Sequence, residues 1–256
     1  MPSIPWARQT SLLRRQSVLC RVIPSGSLAV DLHVHTIYSR DSLTSLPSLV
    51  VAVQRRGLSA VAITDHNETE GALRLRDIAP FPVIVGEEIL TSDGEIIGLF
   101  LERKIPRRLS PLDTIAAIHE QGGLVYLPHP GDGVRHAVMR SDRMAAIIGQ
   151  VDAVEVLNAR VLFHRDNEAA RRLADTHGIP HGAGSDAHTA AEIGQAYVLL
   201  PECDLTSPRS FLAAVRQGQT AGRLSSPLVH LASTVAKVVQ RLGLASGRSA
   251  PTAEGA

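Results

Sequence analysis

Five times along this chain a short apolar run ends in a cluster of histidines and carboxylates. The first such run leads into Asp31-Leu32-His33-Val34-His35-Thr36. Later ones end in Thr64-Asp65-His66, Gly86-Glu87-Glu88, Pro128-His129-Pro130 and Gly184-Ser185-Asp186-Ala187-His188. Apolar runs closed by polar residues read as strands, and the segments between them carry helical signals. Alternating strand and helix builds a parallel sheet covered by helices, so the expected fold class is α/β. In barrels of that kind functional groups gather at the C-terminal ends of the strands, where these clusters fall.

Strands are expected at 28–36, 58–64, 83–85, 95–101, 124–127, 151–157, 179–183 and 196–200, with a hairpin turning at Ser92-Asp93-Gly94. Helices are expected at 47–56, 68–78, 140–148, 165–177, 207–217 and 227–242. One more begins at Ser110-Pro111, with Asp113 completing a capping box, and ends at Gly122-Gly123. The last helix carries Val229, Ala232, Ala236 and Val239 as an apolar stripe. The expected organisation is a basic, flexible N-terminal extension at 1–27, a metal-binding barrel at 28–224, and a C-terminal helix with a mobile tail at 225–256.

Bulk composition narrows the function. A chain of 256 residues, 44% of them hydrophobic, can build a substantial core. A net charge of +1 gives no global attraction to nucleic acid, and 3% aromatics disfavours a stacking platform for single strands. Cys20 and Cys203 form no Cys-x-x-Cys pair, so neither a zinc knuckle nor a disulfide scaffold is indicated. Arginines 8, 14, 15 and 21 precede the first acid, Asp31, and interrupt every apolar run, which argues against a secretory core. No run approaches the ~20 apolar residues of a membrane span. A cytoplasmic location is the expectation.

His33 and His35 stand two apart, so on a strand they face the same side. Imidazole and carboxylate together suit Zn2+, Mn2+ or Fe2+, and no cysteine joins them. Eight side chains are on offer: His33, His35, Asp41, His66, Glu88, His129, Asp186 and His188. One ion cannot use them all, so two or three divalent ions are expected. Asp31 and Asp65 read as residues that cap backbone or orient a histidine, and Glu87 as a solvent-facing neighbour of Glu88. His119, His164, His177 and His230 lie in helices and read as surface or packing residues. Arg135 and Arg160 follow the later strands and are candidates to take an anionic group, since guanidinium matches phosphate oxygens bidentately.

Taken in order, Asp-x-His-x-His-Thr, Ser-x-Asp, Thr-Asp-His, Gly-x-Glu-Ile, Pro-His-Pro and Gly-Ser-Asp-Ala-His resemble the PHP (polymerase and histidinol phosphatase) family. The resemblance covers roughly residues 31–200. It implies a distorted (β/α)7 TIM-like barrel with a trinuclear site, whose commonest activity is phosphoester hydrolysis. By that resemblance His33, His35, Glu88 and Asp186 would hold a first metal. Glu88 would bridge to a second bound by His129, and Asp41, His66 and His188 would hold a third. Many relatives carry one more second-metal histidine; Ile97 is read in its place, which leaves that site a ligand short.

The expected activity is therefore hydrolysis of a phosphate ester by a metal-bridged hydroxide, with Glu88, Asp186 and His188 as catalytic residues. The expected partner is a small phosphorylated substrate or nucleotide, not long nucleic acid and not a membrane. Two alternatives stand beside it. One is a degenerate, non-catalytic metal-binding module. The other is a C–N bond hydrolase of amidohydrolase type, which would want a bridging lysine; the chain has only Lys104 and Lys237, neither read at a strand end.

Overall fold

The computed structural model describes residues 26–135 and 138–241. The expectations for 1–25 and for the tail beyond 241 lie outside the described residues.

Among the described residues nine strands form one sheet: β1 (Ser27–Val34), β2 (Ala60–Ile63), β3 (Val83–Leu90), β4 (Glu95–Leu99), β5 (Leu124–Leu127), β6 (Ala153–Asn158), β7 (His181–Gly184), β8 (Ala196–Pro201) and β9 (Gln219–Gly222). Their order is β7-β6-β5-β4-β3-β2-β1-β8-β9. β1, β2 and β3 run parallel, as do β5, β6 and β7, while β4 runs antiparallel to both its neighbours. The helices are α1 (Leu46–Arg56), α2 (Glu70–Ile78), α3 (Pro111–Glu120), α4 (Ser141–Ile147), α5 (His164–His177), α6 (Pro208–Val215) and α7 (Val229–Arg241). Local chemistry sets their ends. Ser45 and Ser110 accept a backbone N–H in the first turns of α1 and α3, and Gly57 and Gly178 close α1 and α5 in left-handed backbone. β9 was not legible in the sequence, because Gln219-Thr220-Ala221-Gly222 is a partly exposed edge strand with no apolar run.

The sheet curls into the distorted barrel expected, and β1 shows how it closes. Its lower half pairs antiparallel with β8, from Ser27 opposite Pro201 to Val30 opposite Val198. Its upper end bonds instead to the segment after β7: Asp186 N donates to His33 O at 2.7 Å and His35 N to Ala187 O at 2.9 Å. β1 also carries a register shift against β2, the four residues from Asp31 to Val34 opposing the three from Val61 to Ile63. Such a bulge re-aims the side chains that follow it. Below it, Val30 and Leu32 share a buried cluster with Ala62, Ile84, Ile97 and Tyr126; above it, His33 and His35 point over that cluster. Apolar filling below and ligand-type side chains above are thus made by one strand.

Candidate metal centre

Strands β1 to β7 deliver their polar ends to one buried space. His33 Nε2 and His35 Nε2 lie 3.0 Å apart. Glu88 reaches them from β3, with Oε2 3.4 Å from His35 Nε2 and Oε1 3.6 Å from His33 Nε2. Asp186 Oδ1 lies 3.4 Å from His35 Nε2 and 3.7 Å from His33 Nε2. Glu88 also extends to both sides: Oε1 is 3.0 Å from His129 Nε2, and Oε2 is 2.9 Å from His66 Nδ1. Asp41 completes the group, 3.5 Å from His66 Nε2 and 3.4 Å from His188 Nε2. All eight expected side chains therefore meet in one place.

Three of the rings are oriented by partners that accept from Nδ1. His33 Nδ1 donates to Glu155 Oε1 at 3.0 Å, and His188 Nδ1 to the Asp186 carbonyl at 2.8 Å. His35 Nδ1 donates to Ser39 Oγ at 3.1 Å, and that hydroxyl donates to Asp65 Oδ1 at 2.7 Å. Each ring so held turns Nε2 toward the centre, the nitrogen that a metal-binding imidazole uses once it is neutral. Asp65 also accepts from Thr36 N and Oγ1, and Asp31 accepts from the backbone of His33, Ser185 and Gly194, so both do the orienting and capping work expected of them. His129 and Asp186 hold left-handed backbone at φ 30° and 52°, a strain that side chains accept where geometry is over-determined. At Gly184 any Cβ would strike His33 Cβ and Glu155 Oε1, so only glycine lets β7 approach the site this closely.

Charge is heavily concentrated here. Burial works against protonated His33 and His66. Surrounding carboxylates outweigh it, Glu155, Asp186 and Glu88 for the first and Glu88 and Asp41 for the second, and raise both rings well above the ordinary value. Burial, with His188 and His66 beside it, lowers His35 to about 3. Burial alone would raise Asp186, but Arg135 and His33 hold it well below the usual carboxylate range.

Several expectations need correction. Glu87 is not solvent-facing: it is fully buried on the opposite face of β3, where Oε2 accepts from Ile105 N at 2.8 Å. Ile97 does point inward, opposite Glu88 and Tyr126, but it lies within the apolar cluster below the site. β4 runs downward, so the residue that reaches the site is two positions earlier, at its upper end. That residue is Glu95, whose Oε1 lies 3.9 Å from His66 Nδ1 and which groups with His66 and Glu88 as a possible ligand set. Burial and Glu88 push it up to about 7. Arg160 is closed off, with Nη1 3.1 Å from Glu192 Oε1 and Nη2 2.8 Å from Ser233 Oγ. Removing it to meet a phosphate would leave a buried carboxylate unpaired. Arg135 does stand at the centre, where it donates to Asp132 Oδ2 at 3.0 Å and contacts Asp186 Oδ2. Lys237, although not on a strand, also reaches the rim, 3.6 Å from Asp41 Oδ2.

Sequence reasoning missed Glu155 and Asn158. Glu155 Oε2 accepts from His129 N and from Asn158 Nδ2, both at 2.9 Å, and Asn158 Nδ2 also donates to Asp186 Oδ2 at 3.1 Å. The signal was a glutamate inside the buried strand Ala-Val-Glu-Val-Leu-Asn. A register shift between Glu155 and Leu157 then puts two residues three apart on the same side.

A barrel with nitrogen and oxygen side chains able to hold metal at its upper rim defines the class. Comparison with known proteins narrows it. The family model of the PHP domain matches residues 31–80, and that of the PHP-associated region matches 164–220. The uncharacterized protein MJ1587 of Methanocaldococcus jannaschii is 39% identical over 152 residues, 54% of this chain and 85% of its own. MJ0417 of the same organism is 35% identical over 184 residues, 71% of this chain and 74% of its own. Among solved structures, a two-domain protein of Bacteroides vulgatus containing a predicted PHP-like metal-dependent phosphoesterase matches with TM-score 0.64 at 19% identity. That match covers 77% of this chain and 65% of the other, so this chain spans just under two thirds of that protein's length. The chain belongs to the PHP family.

Proposed function

We propose that this protein is a metal-dependent hydrolase of phosphate esters that works with two or three divalent ions. What carries this is the contact of His33 Nε2 with His35 Nε2 at 3.0 Å. Both Nδ1 atoms donate elsewhere, so in neutral rings both Nε2 atoms are acceptors, and two acceptors that close need a proton or a cation between them. Around them Glu88 Oε2, Asp186 Oδ1 and Asp41 Oδ1 are buried without hydrogen-bond partners. Unpaired polar atoms converging on one space fit cations that take nitrogen and oxygen donors.

In this reading His33, His35, Glu88 and Asp186 would hold one ion, Glu88, His129 and Glu95 a second, and Asp41, His66 and His188 a third. Such ions supply Lewis acidity toward a phosphoryl oxygen and bring the pKa of water near neutrality. The chain's own groups do the rest. Glu155 and Asn158 hold His33, His129 and Asp186 in place. Arg135, 23% exposed and carried by buried Asp132, offers a guanidinium to an anion at the same centre. Glu88, Asp186 and His188 remain the catalytic residues of this reading. The near-zero net charge and low aromatic content favour a small phosphorylated substrate over long nucleic acid.

Elemental analysis of protein refilled with Mn2+ or Zn2+ should give at least two ions per chain, and a panel of phosphate esters and amides should show chelator-sensitive hydrolysis of the esters alone. One ion or fewer per chain, or turnover confined to amides, would sink the proposal. Metal uptake should also release protons. The carboxylates around them favour the protonated forms of His33 and His66, yet a ligand must be neutral, so binding displaces protons. Affinity should therefore fall as pH falls, ~10-fold per pH unit for each proton displaced. Calorimetry in two buffers of different ionisation enthalpy measures that release; identical heats would rule it out.

A further inference from the structure

Helix α7 follows the last strand, yet it is tied to the loops that present the metal centre. Its buried Ser233 accepts from Arg160 Nη2 at 2.8 Å, and the same nitrogen reaches Val229 O at 3.5 Å. Arg160 pairs with Glu192, whose Oε2 accepts from Thr189 N at 2.9 Å and His188 N at 3.3 Å. The helix is thus anchored, through a buried ion pair, to the loop carrying His188. One turn beyond Ser233, Lys237 Nζ lies 3.6 Å from Asp41 Oδ2. His230, Ser233 and Lys237 stand at i, i+3 and i+7 and share one helix face. That face looks onto the centre.

We propose that Lys237 binds the phosphate of the substrate and that α7 is one wall of the substrate site; this rests on the phosphoesterase reading above. Lys237 is 61% exposed, which puts its ammonium at the mouth of the site, where a substrate enters, not inside the barrel. Its partner Asp41 is a shared resource. The other oxygen of Asp41 is buried without a hydrogen bond and faces His188. Once that carboxylate is committed to a cation, its pull on the ammonium falls, and an anion in front of the centre becomes the better partner. A compact ammonium on a flexible four-carbon stem can make that short swing. Arg135 stands beside Asp186 and Lys237 beside Asp41, so the two cations flank the centre on its two carboxylate sides. A dianionic phosphate monoester suits such a pair.

The test uses the full, Mn2+-loaded chain titrated with inorganic phosphate in a calorimeter. Lys237→Met keeps the stem and removes the charge, and should raise the phosphate Kd about 10-fold. Lys237→Arg should recover most of the loss, and Arg241→Met, at the helix end, should change nothing. Metal content should be equal in all of them. KM for a phosphate monoester should rise in parallel, with kcat within about 3-fold of wild type. An unchanged Kd in Lys237→Met, no phosphate binding by wild type, or a loss matched by loss of metal would overturn the assignment. Phosphate binding that depends on Lys237 in a protein that hydrolyses no phosphate ester would support the anion site and remove the hydrolase reading, so the two fail separately.

Discussion

Glu88→Gln is expected to lower kcat/KM by at least ~10^3-fold and to strip metal, whereas Glu87→Gln should change kcat/KM less than ~10-fold. These two glutamates are neighbours on β3 and project to opposite faces. Glu88 lies within 3.6 Å of ring nitrogens of His33, His35, His66 and His129. Burial alone would raise its carboxyl, but His66 and His33 outweigh it and hold it well below its ordinary value. A neutral amide cannot replace that charge. Glu87 is pushed up to about 7 by burial and uses one oxygen to accept from Ile105 N. Glutamine keeps that acceptor, so the cost in stability should be on the order of 1 kcal/mol or less. Metal content and kcat/KM of the two variants measure the contrast. Equal losses would mean that β3 presents Glu87, not Glu88, to the centre.

The second large effect separates Glu95 from Ile97. Ile97→His should destabilise the protein by ~1–3 kcal/mol, the cost of a buried polar group without a partner, and should leave metal content unchanged. Ile97 has no exposed surface and sits among Leu32, Ile84, Leu99 and Tyr126. Glu95→Ala should instead lower the stoichiometry by about one ion, and Glu95→His should restore it, because imidazole and carboxylate are interchangeable donors for these ions. Melting temperature and elemental analysis together decide it. A folded Ile97→His variant that binds more metal than wild type would return the missing ligand to position 97.

The contrast shows what the sequence could and could not yield. His33, His35, His66, His129, Asp186 and His188 were legible because each closes an apolar run on a parallel strand, where side-chain period and strand direction agree. Glu95 was not, because β4 runs the other way and its first residue, not its third, reaches the rim. Glu155 and Asn158 were hidden by a bulge that breaks the period of two. Arg160 looked like an anion ligand from its position after β6. Only the tertiary contacts with Glu192 and Ser233, 32 and 73 residues away in sequence, reveal it as an anchor. The place of Lys237 depends wholly on how α7 docks, which no local pattern encodes.

The divided pairing of β1 has a kinetic consequence. Both partners that complete this strand, β8 and the segment after β7, lie in the last third of the described chain; Asp31 and Ser185, which bond directly, are 154 positions apart. Contacts of such long range are formed late, since their loop-closure entropy must be met before they stabilise anything. At ordinary rates of synthesis, His33 and His35 would precede Asp186 and His188 by on the order of ten seconds. Through that interval β1 has an open edge, the kind of surface most prone to mispairing. A cation held jointly by His33, His35, Glu88 and Asp186 would bind only the finished ring, so by mass action it would hold the ring closed without hastening its closure.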